Sequence, residues 1–364
     1  MRYCLSEVSY KRYLKTHHVG FGEETDLTIE VSNAKPLPLA WLQTVDDFPE
    51  EVKLLTPPPE TSIPQDGRLN VLINLLSLSW YERVRRTYRI QGVQRGEFEF
   101  GPARISSGDI FGFYRQSMSE PAKEKLIVYP KVVPVNEIGL IPAWPLVEMK
   151  TPYRLLADPL RMASVREYVP GDSYRHIHWK ATARLRTLMT KEFDPGASPV
   201  VLLFTDVQTN ANPYTVDQDY LELIITSTAS IALHGLDNKR GVGLYTNGGI
   251  GSSSRCARIS ASRHAAQATR ILEILARVDE FRQMSMATLL YREMTSLPYG
   301  STIIVLTALP TEELQQTLLQ IQRIGHPVTL LTVGEEKLRT TNPIPTHHLG
   351  GRDVWRHLET LDVD

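Results

Sequence analysis

The chain has 364 residues, with 40 Lys and Arg against 41 Asp and Glu and a formal charge of −1. That length suits about two domains, and near-neutrality leaves no global field to recruit nucleic acid or anionic lipid. Its two cysteines, Cys4 and Cys256, exclude a disulfide-stapled scaffold and a Cys-only zinc site.

Residues 1–19 are polar and basic, without the apolar core of a leader, and read as an N-terminal segment. Short runs at 25–31, 71–79, 86–91, 97–100 and 126–129 alternate apolar and polar side chains, separated by turn chemistry such as Ser32-Asn33, Asp66-Gly67 and Gly101-Pro102. This predicts an antiparallel, immunoglobulin-like β-sandwich over 20–138. Residues 139–160, with Pro142, Pro145, Pro152 and Pro159, read as a linker. From 161 to 345 the pattern is α/β. Continuous apolar runs at 199–205, 302–306 and 327–333 alternate with amphipathic helices at 220–236 and 265–278 and a third capped by Thr311, the alternation of a doubly wound, mostly parallel sheet. The fold class is thus α+β with two domains, and 346–364 read as a tail. No apolar run approaches the ~20 residues of a bilayer crossing, so the chain as written is expected to be cytoplasmic.

The most informative stretch is 166–194, which carries Arg166, Tyr168, Pro170, Gly171, Asp172, Arg175, Ile177, His178, Trp179, Lys180, Ala183 and Arg184. It resembles the bacterial family known as domain of unknown function 58, whose hallmark runs Arg-x-Tyr, Pro-Gly-Asp, Arg-x-Ile-(Asp/His)-Trp-Lys and Ala-Arg. Upstream, Phe21 to Glu24, Arg95-Gly96, Gly101-Pro102, Tyr129-Pro130 and the Asp-Ile-Phe-Gly-Phe of 109–113 are similar to that family's pattern, so the resemblance spans roughly 20–210. It implies a sandwich followed by a domain similar to von Willebrand factor type A, acting beside a MoxR-type AAA ATPase in protein or metal-centre assembly. Such proteins usually begin with two transmembrane helices, with this part on the cytoplasmic side. A membrane role here would need such helices upstream of Met1; a soluble variant and a trimmed start are equally open.

Type A domains hold Mg²⁺ through Asp-x-Ser-x-Ser after their first buried strand. This chain offers Asp206, Gln208 and Asn210, with Thr307-Ala308 where a Thr-Asp would stand. Mg²⁺ demands six oxygens in near-octahedral array, so the site reads as degenerate. Asp206 is expected to cap a helix, and no cofactor is expected. His176 and His178 lack a third ligand, and Cys256 with His264 lacks an oxyanion-forming glycine pattern. Basic stretches lie at 161–191, with seven cations against Glu167 and Asp172, and at 239–270, with six and no carboxylate. They suit an acidic protein surface better than nucleic acid, because no recognition motif accompanies them.

The expected function is therefore a non-enzymatic interaction protein, with Arg166, Gly171, Asp172, Arg175, Trp179, Lys180 and Arg184 as the partner-binding motif. Asp172 is expected to cap a short helix on which Trp179 and Ala183 face the sheet and Lys180 and Arg184 border a basic surface. A metal-dependent protein using Asp206 and a polyanion binder are the alternatives.

Overall fold

A computed structural model describes residues 4–56, 71–109, 111, 113–136, 162–169, 177–193, 200–251, 255–298, 300–337 and 343–362. In chain order the first strands are β1 (Val8–Leu14), β2 (His18–Val19), β3 (Glu24–Asn33), β4 (Leu39–Asp47), β5 (Val52–Leu54), β6 (Val71–Leu78), β7 (Arg83–Gly92), β8 (Gly96–Phe100), β9 (Ala103–Gly108), β10 (Arg115–Glu120) and β11 (Glu124–Val128). They form two four-stranded antiparallel sheets, in the orders β1-β3-β7-β5 and β10-β9-β4-β6, with a third ladder β2-β11-β8. Alternate residues point inward, and Leu27, Ile29, Leu42, Leu72, Ile90, Phe100, Ile105 and Leu126 fill a common core. The expected sandwich is present, and it takes in β1, so residues read as a separate N-terminal segment are one of its strands. Cys4 packs against the same core.

β1 contributes an unusual inward residue. Arg12 is enclosed with Asp46 of β4, donating from Nε to Oδ2 (2.8 Å) and from Nη2 to Oδ1 (2.5 Å), and from Nη1 to the Phe100 carbonyl (2.6 Å). Tyr10 Oη donates to Asp46 Oδ2 at 2.5 Å. Burial pushes the Asp46 carboxyl up even so, against the pull of Arg12 and Tyr10. Gly101 passes directly over this group with φ +89°, and a Cβ there would land on the Arg12 guanidinium.

After β12 (Val135–Asn136) come β13 (Met162–Glu167), α1 (Trp179–Leu185) and β14 (Met189–Phe193). Then follow β15 (Val200–Thr205), α2 (Gln218–Asp237), β16 (Gly241–Thr246), β17 (Gly248–Ile250), β18 (Arg258–Ser262), α3 (Ala266–Arg277), β19 (Val278–Arg282), α4 (Met286–Glu293), β20 (Thr302–Thr307), α5 (Glu312–Arg323), β21 (Val328–Val333), β22 (Thr346–Gly350), α6 (Val354–His357) and β23 (Leu361–Asp362). A six-stranded sheet runs β18-β16-β15-β20-β21-β22. All its pairs are parallel except β16 with the edge strand β18. Helices cover both faces: Leu203, Leu244 and Ile304 pack with Leu223, Ile231 and Ile271 on one side. Leu202, Phe204 and Ile303 pack with Leu290, Leu318 and Ile321 on the other. Thr311 caps α5 as expected, its Oγ1 accepting from Leu314 N.

Residues 346–364, expected to be a tail, are partly built in. β22 is the sixth strand, β23 pairs with β12, and Trp355 Nε1 donates to Asp219 Oδ1 (2.7 Å) near the start of α2. The linker at 139–160 lies outside the described residues.

Candidate functional site

Counted along the chain, the parallel strands β15, β16, β20, β21 and β22 stand in the order 2-1-3-4-5. In such sheets the crevice beyond the carboxyl ends of the first and third strands is where connections leave in opposite directions, and ligands bind there. Asp206, directly after β15, and Thr307, at the end of β20, span that point. Asp206 is 4% exposed. Its Oδ2 accepts from Thr307 Oγ1 (2.7 Å), and its Oδ1 accepts from Asn247 Nδ2 (2.7 Å) and Gln208 N (3.0 Å). Asn247, after β16, is itself buried. Its Oδ1 accepts from Val207 N, and its Nδ2 also reaches the Met284 carbonyl. Burial raises the Asp206 carboxyl, opposed by these hydrogen bonds and by the charge of Arg282.

One carboxylate therefore stitches together the ends of three neighbouring strands. This corrects the expected helix cap: α2 is capped by Asp217, which accepts from Tyr220 N. The donor set also does not suit Mg²⁺. N–H groups point at Asp206 Oδ1, Gln208 Nε2 donates to the Asn210 carbonyl (2.8 Å), and Asn210 Nδ2 donates to the Thr215 carbonyl (3.3 Å). Asp206, Gln208 and Asn210 brace their own loop, and among the described residues no second carboxylate joins them to supply the charge such a cation needs.

Beside this edge lies a cleft of about 760 Å³ between the sandwich and the α/β sheet, lined by Glu97, Glu99, Gln218, Glu222, Asp279 and Gln283 among others. Arg95, from the turn before β8, closes one wall. It donates from Nε to Glu222 Oε1 of α2 (2.8 Å) and from Nη1 to the carbonyls of Leu275 (2.9 Å) and Val278 (3.4 Å). A cation thus finishes the C-terminal turn of α3, where carbonyls lack partners and the helix dipole is negative. Arg277 pairs with Glu97 at 2.6 Å. Burial pushes the Glu222 carboxyl up, partly offset by Arg95. The Arg95-Gly96 pair stood out in the sequence; its partners, 127 residues and more away, did not.

The family-like motif forms a separate unit. β13 and β14 pair antiparallel, and α1 sits between them in sequence. Gly171, Asp172 and Arg175, with His176, lie outside the described residues. The α1 N-cap is His178, whose Nδ1 accepts from Ala181 N (2.9 Å), in place of the expected Asp172. Ile177 is 4% exposed and bridges to Thr190. Arg166 donates to the Glu167 carbonyl.

The expected orientation of α1 is overturned. Trp179 is 68% exposed and Ala183 is exposed too; no residue of the helix is buried. A two-stranded ladder offers the helix no broad face to cover. Trp179, Leu185 and Leu188 are instead exposed, as are Lys180, Arg184 and Arg186, and Lys180 and Arg184 have no ion-pair partner among the described residues. Cys256, half-buried, donates to the Asn247 carbonyl at 3.7 Å, and burial raises its thiol, the opposite of an activated nucleophile.

The family described as Protein of unknown function DUF58 matches residues 164–336. A curated relative, the uncharacterized protein YeaD of Bacillus subtilis, is 28% identical over 255 residues, which is 68% of this chain and 57% of YeaD. The chain thus spans little more than half the length of that relative. Among solved structures, the CARDB domain of PF1109 from Pyrococcus furiosus aligns with 33% of this chain and 91% of its own, at 11% identity and a TM-score of 0.23. A type II cohesin domain from Acetivibrio cellulolyticus aligns with 33% and 94%, at 9% identity and a TM-score of 0.23. At such scores the sandwich rests on its own strand pairing, not on these likenesses.

Proposed function

We propose that this chain, a carrier of the DUF58 region, is a non-enzymatic adaptor that docks an acidic protein partner through the β13–α1–β14 unit. The partner suggested by the family resemblance is a MoxR-type AAA ATPase, working with the adaptor in protein or metal-centre assembly on the cytoplasmic side. The observation that carries the reading is the exposure of Trp179 on a helix that buries nothing and that also exposes Lys180 and Arg184, with exposed Arg186 at its C-cap. Interface hot spots are enriched in Trp and Arg, and a desolvated aromatic surrounded by complementary charge is their common form.

The α/β half fits a scaffold. Its strand order supports the likeness to von Willebrand factor type A, and the crevice carboxylate holds strand ends together. The test is binding of the purified chain to the ATPase encoded nearest its gene, measured by interferometry. Trp179→Ala, and separately Lys180→Glu with Arg184→Glu, should each weaken binding at least tenfold at unchanged thermal stability. Wild-type affinity in both variants would refute the docking site, and a charge-reversed variant that fails to fold would make those cations internal struts.

A further inference from the structure

The sandwich has a second exposed apolar surface, unrelated to α1. Strand register brings three connections to one end: Ser32 stands opposite Arg83, Leu39 opposite Leu78, and Gly108 opposite Arg115. The loops 34–38 and 79–82 and the described residues 109, 111, 113 and 114 therefore lie at this end. They present Leu37 (59% exposed), Trp80 (66%), Tyr81 (68%), Phe111 (81%) and Phe113 (90%). The two phenylalanine rings lie 6.4 Å apart.

These tips are held from beneath. Asn33, 1% exposed, donates from Nδ2 to the carbonyls of Leu37 (2.8 Å) and Ser79 (2.9 Å), tying the first two loops together. Lys35, also buried, donates to the carbonyls of Cys4 and Ser6, and its own carbonyl accepts from Tyr81 N. In the third loop Asp109 accepts from Phe113 N (3.2 Å) and Tyr114 N (2.6 Å), while Trp41 Nε1 donates to the Asp109 carbonyl (3.0 Å). Tyr81 holds φ +53°, a region that costs a bulky side chain and that Gly or Asn would enter more easily. A tyrosine kept there, beside an exposed tryptophan, is strain that packing does not explain.

We infer that this end of the sandwich docks on an anionic phospholipid bilayer. Three loop tips at one end of the sandwich form a crown of apolar side chains 59% to 90% exposed, placed where rings can enter a planar interface together. Trp, Tyr and Phe favour the headgroup boundary, where their rings leave water and their polar atoms stay wet. The charges are sorted accordingly. Glu82 and Asp109 turn back to backbone N–H groups of their own loops, and Arg83 pairs with Glu30 at 3.6 Å. Arg115, exposed beside the third loop, contacts among the described residues only the neutral Gln43 Oε1 (2.9 Å) and the Trp41 ring, and keeps its charge available to a headgroup. Glu7, close to residue 34 through its carbonyl, is also exposed at this end.

The test is co-sedimentation of the full chain with vesicles of phosphatidylcholine, with and without phosphatidylglycerol. The wild type should pellet with the mixed vesicles. Phe111→Ser with Phe113→Ser should lower the partition coefficient by about tenfold for each ring removed, with no change in thermal stability because both rings are exposed. Arg115→Gln should erase most of the preference for the anionic lipid, and Trp179→Ala should bind vesicles like the wild type. Failure of the wild type to pellet, or equal pelleting of the double serine variant, would overturn the proposal. A lipid-free dimer that the double variant abolishes would instead assign the crown to a second copy of this chain.

Discussion

Replacing Asp206 separates a strut from a ligand. In Asp206→Ala, Gln208 N loses its acceptor and Asn247 Nδ2 keeps only the Met284 carbonyl. The Thr307 hydroxyl also loses its acceptor, although it can rotate. Each buried donor left bare costs about 1–3 kcal/mol. With Thr307 rotating and Asn247 half-satisfied, about 3–4 kcal/mol should be lost. For a unit of about 150–200 residues that lowers Tm by roughly 8–14 °C. Asp206→Asn is the counter-experiment. Its oxygen can accept the same two N–H bonds and its amide can donate to Thr307 Oγ1, while the desolvated charge disappears, so stability at neutral pH should stay within about 1 kcal/mol. Urea unfolding of the three proteins by circular dichroism, with and without Mg²⁺, decides. An alanine variant as stable as the wild type would refute the strut, and a midpoint raised by Mg²⁺ only in the wild type would restore the metal reading.

Trp179→Ala should change stability by less than about 0.5 kcal/mol by chemical denaturation, because the side chain is 68% exposed; a loss of several kcal/mol would mean that the ring is packed. Gly101→Ala forces a methyl onto the enclosed Arg12 at φ +89° and should cost at least about 2 kcal/mol; an unchanged urea midpoint would contradict the placement of that group. Glu222, raised by burial, binds its proton more tightly in the folded protein than the free side chain does at about 4.3. Its contribution is therefore full below that value and lost as pH rises through the folded one, so Glu222→Gln should flatten the stability profile across that window; an unaltered slope in urea midpoints against pH would reject it.

The elements legible in the sequence were those whose inward positions are apolar. β3 and β6 alternate cleanly, and β15, β20 and β21 are continuous apolar runs. β1 was hidden because one of its four inward residues is Arg12, and β4 because Thr44 and Asp46 face the core. β10 carries Arg-Gln-Ser-Met-Ser-Glu on an edge with little to bury. At the crevice, Asp206 was visible but its role was not, since Asn247 comes from a strand end 41 positions later. For α1 the four-residue spacing of Trp179 and Ala183 did place them on one face. Spacing alone could not reveal that this face meets water.

Arg95 has a consequence for how the chain can be cut. The last turn of α3 lies in the α/β half, yet the cation that completes it comes from the sandwich, together with the counter-charge of Glu222. An α/β fragment starting after the sandwich would carry an open helix end, with the Leu275 and Val278 carbonyls and the Glu222 carboxylate left without their cation. The two halves are therefore poor candidates for recombination as interchangeable modules. A transplant of the α/β half would have to bring a substitute for this one guanidinium, or replace Glu222 with an uncharged side chain.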